Sequence, residues 1–183
     1  MNNCFNSKYL LMVAALLALP AAQAATMSKA EYNADKSRIS ADYKADKAAC
    51  APLAANAKDI CMEEAKGKEK VARAELEYRS SGKAKDQTKL LEVKAKSAYE
   101  VAKEKCDDKA GNDKDVCVKE AKAIETRALA DAKMGKEIGE AKKDASEDKR
   151  DAEYKVAVEK CDALAGDAKA SCITAAKAKF GKN

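Results

Sequence analysis

Histidine and tryptophan are absent from this chain, and phenylalanine and proline occur twice each. Without His there is no imidazole for a general base, a Ser-His-Asp triad or a Cys2His2 metal site. Without Trp, and with two Phe, there is no aromatic platform on which nucleobases or sugars would stack. The phosphate-cradling loops G-x-x-x-x-G-K-[ST] and G-x-G-x-x-G are missing, and so is the nucleophile elbow G-x-S-x-G. Large aliphatic side chains are also scarce. Apolar residues make up 46% of the chain, but nearly half of them are Ala. Ala is the best helix former yet buries little area, so a thick globular core is excluded. These absences predict a protein that is not an enzyme, with no catalytic residues, no cofactor and no resident metal.

What is present is charge and helix-forming residues. Asp, Glu, Lys and Arg make up 37% of the 183 residues. Lys, Glu and Asp are interleaved, which predicts solvated helix faces rather than a surface for nucleic acid. No segment reads as a strand. The expected fold class is all-α, built from long antiparallel Ala-rich helices in an extended bundle or rod.

Residues 1–24 read as a signal peptide. Lys8 precedes the apolar run Tyr9 to Leu19, which is too short to span a bilayer comfortably. Pro20 breaks that run, and Ala22-Gln23-Ala24 has the form of a cleavage site. Cleavage is expected after Ala24 or Ala25. It would remove one Lys and no acid, taking the net charge from +5 to +4. It would also remove Cys4 and leave six cysteines, an even number in an exported protein. The expected location is the periplasm or the exterior, with no stable membrane insertion after cleavage.

The mature region, 25–183, carries one pattern three times: Tyr43 to Lys66, Tyr99 to Lys122 and Tyr154 to Lys177. Each copy has a Tyr, a Cys seven residues on, a second Cys eleven residues later, and Ala-Lys four residues after that. The period of 56 and then 55 residues marks an internal repeat. In the second copy Gly111 lies five residues after Cys106 and Asn112 five before Cys117. Gly at such a place ends a helix in the left-handed conformation, and Asn or Asp then caps the next one. Gly166-Asp167 and Ala55-Asn56 stand at the matching places. Each copy therefore predicts a helical hairpin with one Cys about a turn from the bend on each arm. The expected disulfides are Cys50–Cys61, Cys106–Cys117 and Cys161–Cys172, singled out from 15 possible pairings by the repeat alone. Tyr43, Tyr99 and Tyr154 are expected to pack over the second arms near Ala65, Ala121 and Ala176. Working thiols or metal ligands are the alternative, but C-x10-C is not a C-x-x-C motif.

Between the corners the spacing of small and apolar residues predicts the packed faces. In the first helix, Met27 to Ala49, the stripe is Ala30, Ala34, Ser37, Ala41, Ala45 and Ala48. Pro52 should disturb its end. The second helix, from Ala57 with Asn56 as cap, has Cys61, Ala65, Ala72 and Leu76. After Lys83 come Leu91, Ala95, Ala98 or Tyr99, Ala102 and Cys106. The segment from Asp113 has Cys117, Ala121, Ile124, Ala128 and Ala132, with a change of register before Tyr154, Ala157 and Cys161. A short helix from Ala168 to Phe180 closes the chain. Ser80-Ser81-Gly82 and Gly135 with Gly139 each mark a kink or a reversal.

The pattern Y-x6-C-x10-C-x3-A-K, with its turns KAGNDK and LAGDAK, resembles small uncharacterised exported proteins of proteobacteria. These are Ala- and Lys-rich, helical and Cys-paired, and are often labelled by composition as like the cell-envelope protein TolA. The Ala-, Lys- and Glu-rich middle region of TolA is a helical rod. The resemblance implies a non-enzymatic spacer or interaction protein of the envelope with a protein partner there. An envelope stress or chaperone-like role is the second expectation, and thiol-redox or metal handling the third. The oligomeric state is left open by the sequence.

Overall fold

A computed structural model describes residues 27–182. The expected signal peptide, its cleavage site and Cys4 lie outside the described residues. Five helices follow one another: α1 (Lys29–Ala49), α2 (Ala55–Ser81), α3 (Ala84–Cys106), α4 (Gly111–Cys161) and α5 (Gly166–Phe180). No strand occurs among the described residues.

α1 opens on a capping box. The Ser28 hydroxyl accepts from the Glu31 N–H, and the Glu31 carboxylate accepts from the Ser28 N–H. Together they satisfy two of the donors that a helix start leaves unpaired. α2 ends at Gly82, which is left-handed (φ 61°) and donates its N–H to the Tyr78 carbonyl at 2.8 Å. Chain direction reverses there. Asn56 Nδ2 donates to the Glu104 carbonyl, and Lys105 pairs with Glu64 at 3.0 Å, so the start of α2 lies beside the end of α3. Gly67 lets the two backbones approach: a Cβ on it would lie 3.3 Å from the Ser97 Cβ. By contrast, Gly135 and Gly139 do not reverse the chain or interrupt the helix, and α4 runs through both for 51 residues. At 1.5 Å per residue that is about 76 Å.

Each described helix packs against only its neighbours in the chain. α1 does not meet α3 or α4, and α2 does not meet α4 along the backbone. The helices form an open bundle, one layer deep, rather than a closed one. The core is correspondingly thin. Ile39, Leu76, Leu90 and Phe180 are its largest buried apolar side chains, filled out by Ala65, Ala74, Ala95, Ala121, Ala132 and Ala176.

Several expected stripes lie on the wrong face. In α1 the six residues Ala30, Ala34, Ser37, Ala41, Ala45 and Ala48 are all exposed. The packed face is instead Tyr32, Asp35, Ile39, Tyr43, Asp46 and Cys50, which keeps the same spacing. The disulfide explains this: Cys50 must face α2, and residues three and four apart backward from it must follow. Polar bridges line that face. Arg79 pairs with Asp35 at 3.3 Å, Lys68 with Asp46 at 3.4 Å, Arg73 Nη2 donates to Ser40 Oγ at 3.1 Å, and Tyr32 donates to Glu77. In α2, Ala74 is buried and Ala72 only half so. In α3, Leu90 is buried while Leu91 is 44% exposed. In α4, Glu125 is 6% exposed and Ile124 58%. Glu125 is held by Lys122 Nζ at 2.6 Å, so the carboxylate takes the inward place that Ile124 was expected to fill.

The register change in α4 has a simple cause. α3 covers the first part of the helix and α5 the last, and every residue from 133 to 150 is exposed. There the helix is stabilised by its own Lys-Glu pairs, 133–137, 136–140 and 143–147, at 3.7–3.8 Å. No Cβ placed on Gly135 or Gly139 would meet any atom within 4 Å. Replacing either by Ala is expected to stabilise α4 by about 0.5–1 kcal/mol. Chemical denaturation followed by helical circular dichroism checks this.

Candidate functional site: the disulfide corners

The three corners share one backbone design. The first arm ends at a Cys: Cys50 is the C-cap of α1, and Cys106 and Cys161 close α3 and α4. A tight turn follows, in which the carbonyls of Cys50, Cys106 and Cys161 accept from the N–H groups of Leu53, Lys109 and Leu164 at 3.0–3.1 Å. Pro52 sits inside the first of these turns, where its missing N–H costs nothing. Next comes an extended Ala: Ala54, Ala110 and Ala165 have φ from −128° to −130° and ψ from 158° to 163°. After it one residue turns left-handed: Ala55 at φ 47°, Gly111 at 55° and Gly166 at 55°. The second arm then begins.

This corrects the expected capping. Gly111 and Gly166 do not terminate the incoming helices; they begin the outgoing ones. The caps of α2, α4 and α5 are Ala54, Ala110 and Ala165, with no side-chain cap bond. Asn56 is not the cap of α2, because its amide reaches across to α3 instead. The left-handed residue swings the outgoing helix back against the incoming one, a role in the turn that helix-end rules assign to the other side.

The disulfides are Cys50–Cys61, Cys106–Cys117 and Cys161–Cys172, each with a Cα separation of 5.7 Å. That lies in the range a disulfide requires. The two sulfurs of each pair are not alike. Cys50, Cys106 and Cys161 are at most 1% exposed, whereas Cys61, Cys117 and Cys172 are half-buried. Three such bridges are the mark of an oxidising, non-cytoplasmic environment.

The tyrosines stand half-buried one heptad before the first Cys. Lys122, on the second arm, lies 4.9 Å from the centre of the Tyr99 ring, and Ala121 beside it is buried. Lys47 lies 4.3 Å from the Tyr43 ring. In the third corner Phe180 meets Tyr154 edge to face at 6.2 Å. Two corners add an ion pair at matching positions, Lys114–Asp107 and Lys169–Asp162, both 3.0 Å. Ala51 stands at the equivalent place in the first corner and supplies no carboxylate.

Elsewhere the surface has shallow features. A trough of about 610 Å³ runs over α3 between side chains of α2 and α4, with Lys70, Arg73, Lys89, Lys96 and Lys122 among its walls. On the opposite face of α3 a groove of about 500 Å³ is lined by Val71, Ala98, Val101 and Ala102. No three His, Cys, Asp or Glu side chains converge as metal ligands among the described residues. No described helix is long and apolar enough to cross a membrane.

Charge states follow local hydrogen bonds. The Ser28 backbone and hydroxyl hold the Glu31 carboxyl below its usual range, and Lys182 does the same for Asp151. Hydrogen bonds donated to Glu63 and Glu125 raise Lys66 and Lys122, and the one donated to Glu77 raises Tyr32. The lowered acids contribute stability that is present above the ordinary carboxylate range and lost as pH falls through their folded values. The raised Lys and Tyr groups contribute stability that is present below their ordinary values and lost as pH rises through the raised ones. With no His, none of these side chains titrates near neutrality. The thermal midpoint is expected to stay flat from about pH 6 to 9 and to fall on both sides. Calorimetry across that range checks this.

Comparison with known protein families, with curated proteins and with solved structures finds no match.

Proposed function

We propose that the protein is a non-enzymatic spacer or interaction module of the bacterial cell envelope, exported by cleavage of residues 1–24. The observation that carries this reading is the neighbour-only packing. It presents both faces of a helical layer to solvent and extends through a helix of about 76 Å whose middle stretch, residues 133–150, is exposed, a geometry suited to spanning or contacting rather than enclosing a substrate. Three staples hold shape where the core is thin, as in small secreted domains. The resemblance to exported Ala- and Lys-rich proteins points the same way, with a protein partner in the envelope.

Two measurements test it. Mass spectrometry of the protein recovered from the periplasmic fraction should give a chain beginning at Ala25 or Thr26 with six oxidised cysteines. Small-angle scattering should give a radius of gyration above about 20 Å, against about 15 Å for a compact domain of this size. Retention in the cytoplasm with free thiols, or a compact radius, would sink the reading.

A further inference from the structure

The most exposed stretch of α4 is sorted by charge around its axis. Every residue from 133 to 150 is exposed, although the start of α3 runs beside Gly135, Lys136, Gly139, Glu140 and Lys143 on one face. Met134, Ile138, Ala141, Ala145, Asp148 and Ala152 stand at spacings of four and three, the a and d positions of a heptad, apolar at all but Asp148. Met134 and Ile138 are 53% and 47% exposed. With Ile138 at a, the g positions are Glu137, Asp144 and Asp151, and the e positions following the first glycine are Lys142 and Lys149. One flank of the stripe is acidic and the other basic. The residues that α3 and α5 cover, Glu125, Ala132, Tyr154 and Cys161, fall at positions b and c on the far side of the helix. The stripe therefore faces open solvent, free of the rest of the chain.

We propose that this stripe pairs with the same stripe of a second copy, in parallel and in register. The charge pattern selects both occupant and direction. In a parallel pair each g residue faces the e residue five positions on in its mate. That sets Glu137 against Lys142 and Asp144 against Lys149, on both sides of the seam. In an antiparallel pair g faces g and e faces e, so acid would meet acid and Lys would meet Lys. Lys142, Asp144 and Lys149 take part in no ion pair among the described residues. The helix is already formed in the monomer, so pairing orders side chains only. Asp148, at a d position, would face its own counterpart and weakens the seam. The pairing needs no envelope partner and stands apart from the proposed location.

Sedimentation velocity of the full oxidised chain tests the pairing. A monomer–dimer equilibrium that weakens with salt is expected. The double variant Lys142→Glu/Lys149→Glu should lose the dimer, as should Glu137→Lys/Asp144→Lys, and an equimolar mixture of the two should restore it. Asp148→Ala should tighten it. All these positions are exposed, and circular dichroism confirms that each variant keeps its helix content. Direction is read by oxidative crosslinking. Ile138→Cys should link to itself, whereas an antiparallel pair sets a against d and would link Ile138→Cys to Asp148→Cys. A species that stays monomeric at all concentrations, a charge-swapped mixture that does not associate, or exclusive crosslinking between positions 138 and 148 would overturn the proposal.

Discussion

When Cys161 and Cys172 are both replaced by Ala, the amides of α5 are expected to lose protection from hydrogen exchange by about two orders of magnitude, while those of α2 and α3 keep theirs. α5 has 15 residues and touches only α4. A helix of that length is marginal alone in water, so it depends on what fastens it. Its packed residues are few: Ala176 and Phe180 are buried, Phe180 against Tyr154. Two ion pairs, Lys169–Asp162 and Lys182–Asp151, lie at its two ends, but partly exposed pairs contribute little. The disulfide closes a loop of eleven residues, worth about 3 kcal/mol in the chain-entropy model. That is most of what holds α5 down. α2 and α3 are each flanked on two sides and pack along most of their length, so their protection has another source. Exchange read by mass spectrometry separates the helices. Unchanged protection of α5 would show that the Tyr154–Phe180 contact suffices.

Gly111→Ala and Gly166→Ala are each expected to destabilise the protein by about 1–2 kcal/mol, and Ala55→Gly to stabilise it by up to about 1 kcal/mol. The three positions share a left-handed conformation. An L side chain there crowds its own carbonyl, and Gly does not. At Gly111 and Gly166 a Cβ would meet nothing within 4 Å, so the penalty is one of backbone conformation alone. Ala55 already carries that penalty, offset in part because Gly would lose more chain entropy on folding. Urea unfolding of the three variants, with matched denaturant slopes, measures the difference. Equal stability of Ala55→Gly and the parent chain would show that the first corner relaxes its strain in solution.

Much of the architecture was legible in the spacing of the cysteines. A Cys seven residues after a Tyr and eleven before its mate, with Gly-Asn, Gly-Asp or Ala-Asn midway, placed all three corners and all three disulfides. The faces of the helices were less legible, and α1 shows why. Ala is so frequent that it yields a three-and-four stripe on more than one face, and the spacing alone could not choose between Ala34-Ala41-Ala48 and Tyr32-Ile39-Asp46. The disulfide at Cys50 chose. Gly135 and Gly139 misled for a different reason: they weaken a helix without ending it, and α4 passes through because nothing presses on it there. The burial of Glu125 in place of Ile124 had no signal in the periodicity. It depends on Lys122 reaching it from one turn away.

Neighbour-only packing also bears on how the bridges come to be correct. Every helix pair joins segments adjacent in the chain, so contact order is low, and such proteins fold in microseconds to milliseconds. Disulfide formation takes seconds to hours. Each cysteine thus meets its mate, eleven residues away, far more often than it meets the other four before oxidation takes place. Oxidation then fixes the pairing that short-range contacts favour, and even a corner that needs its bridge, as the third does, closes on the near partner.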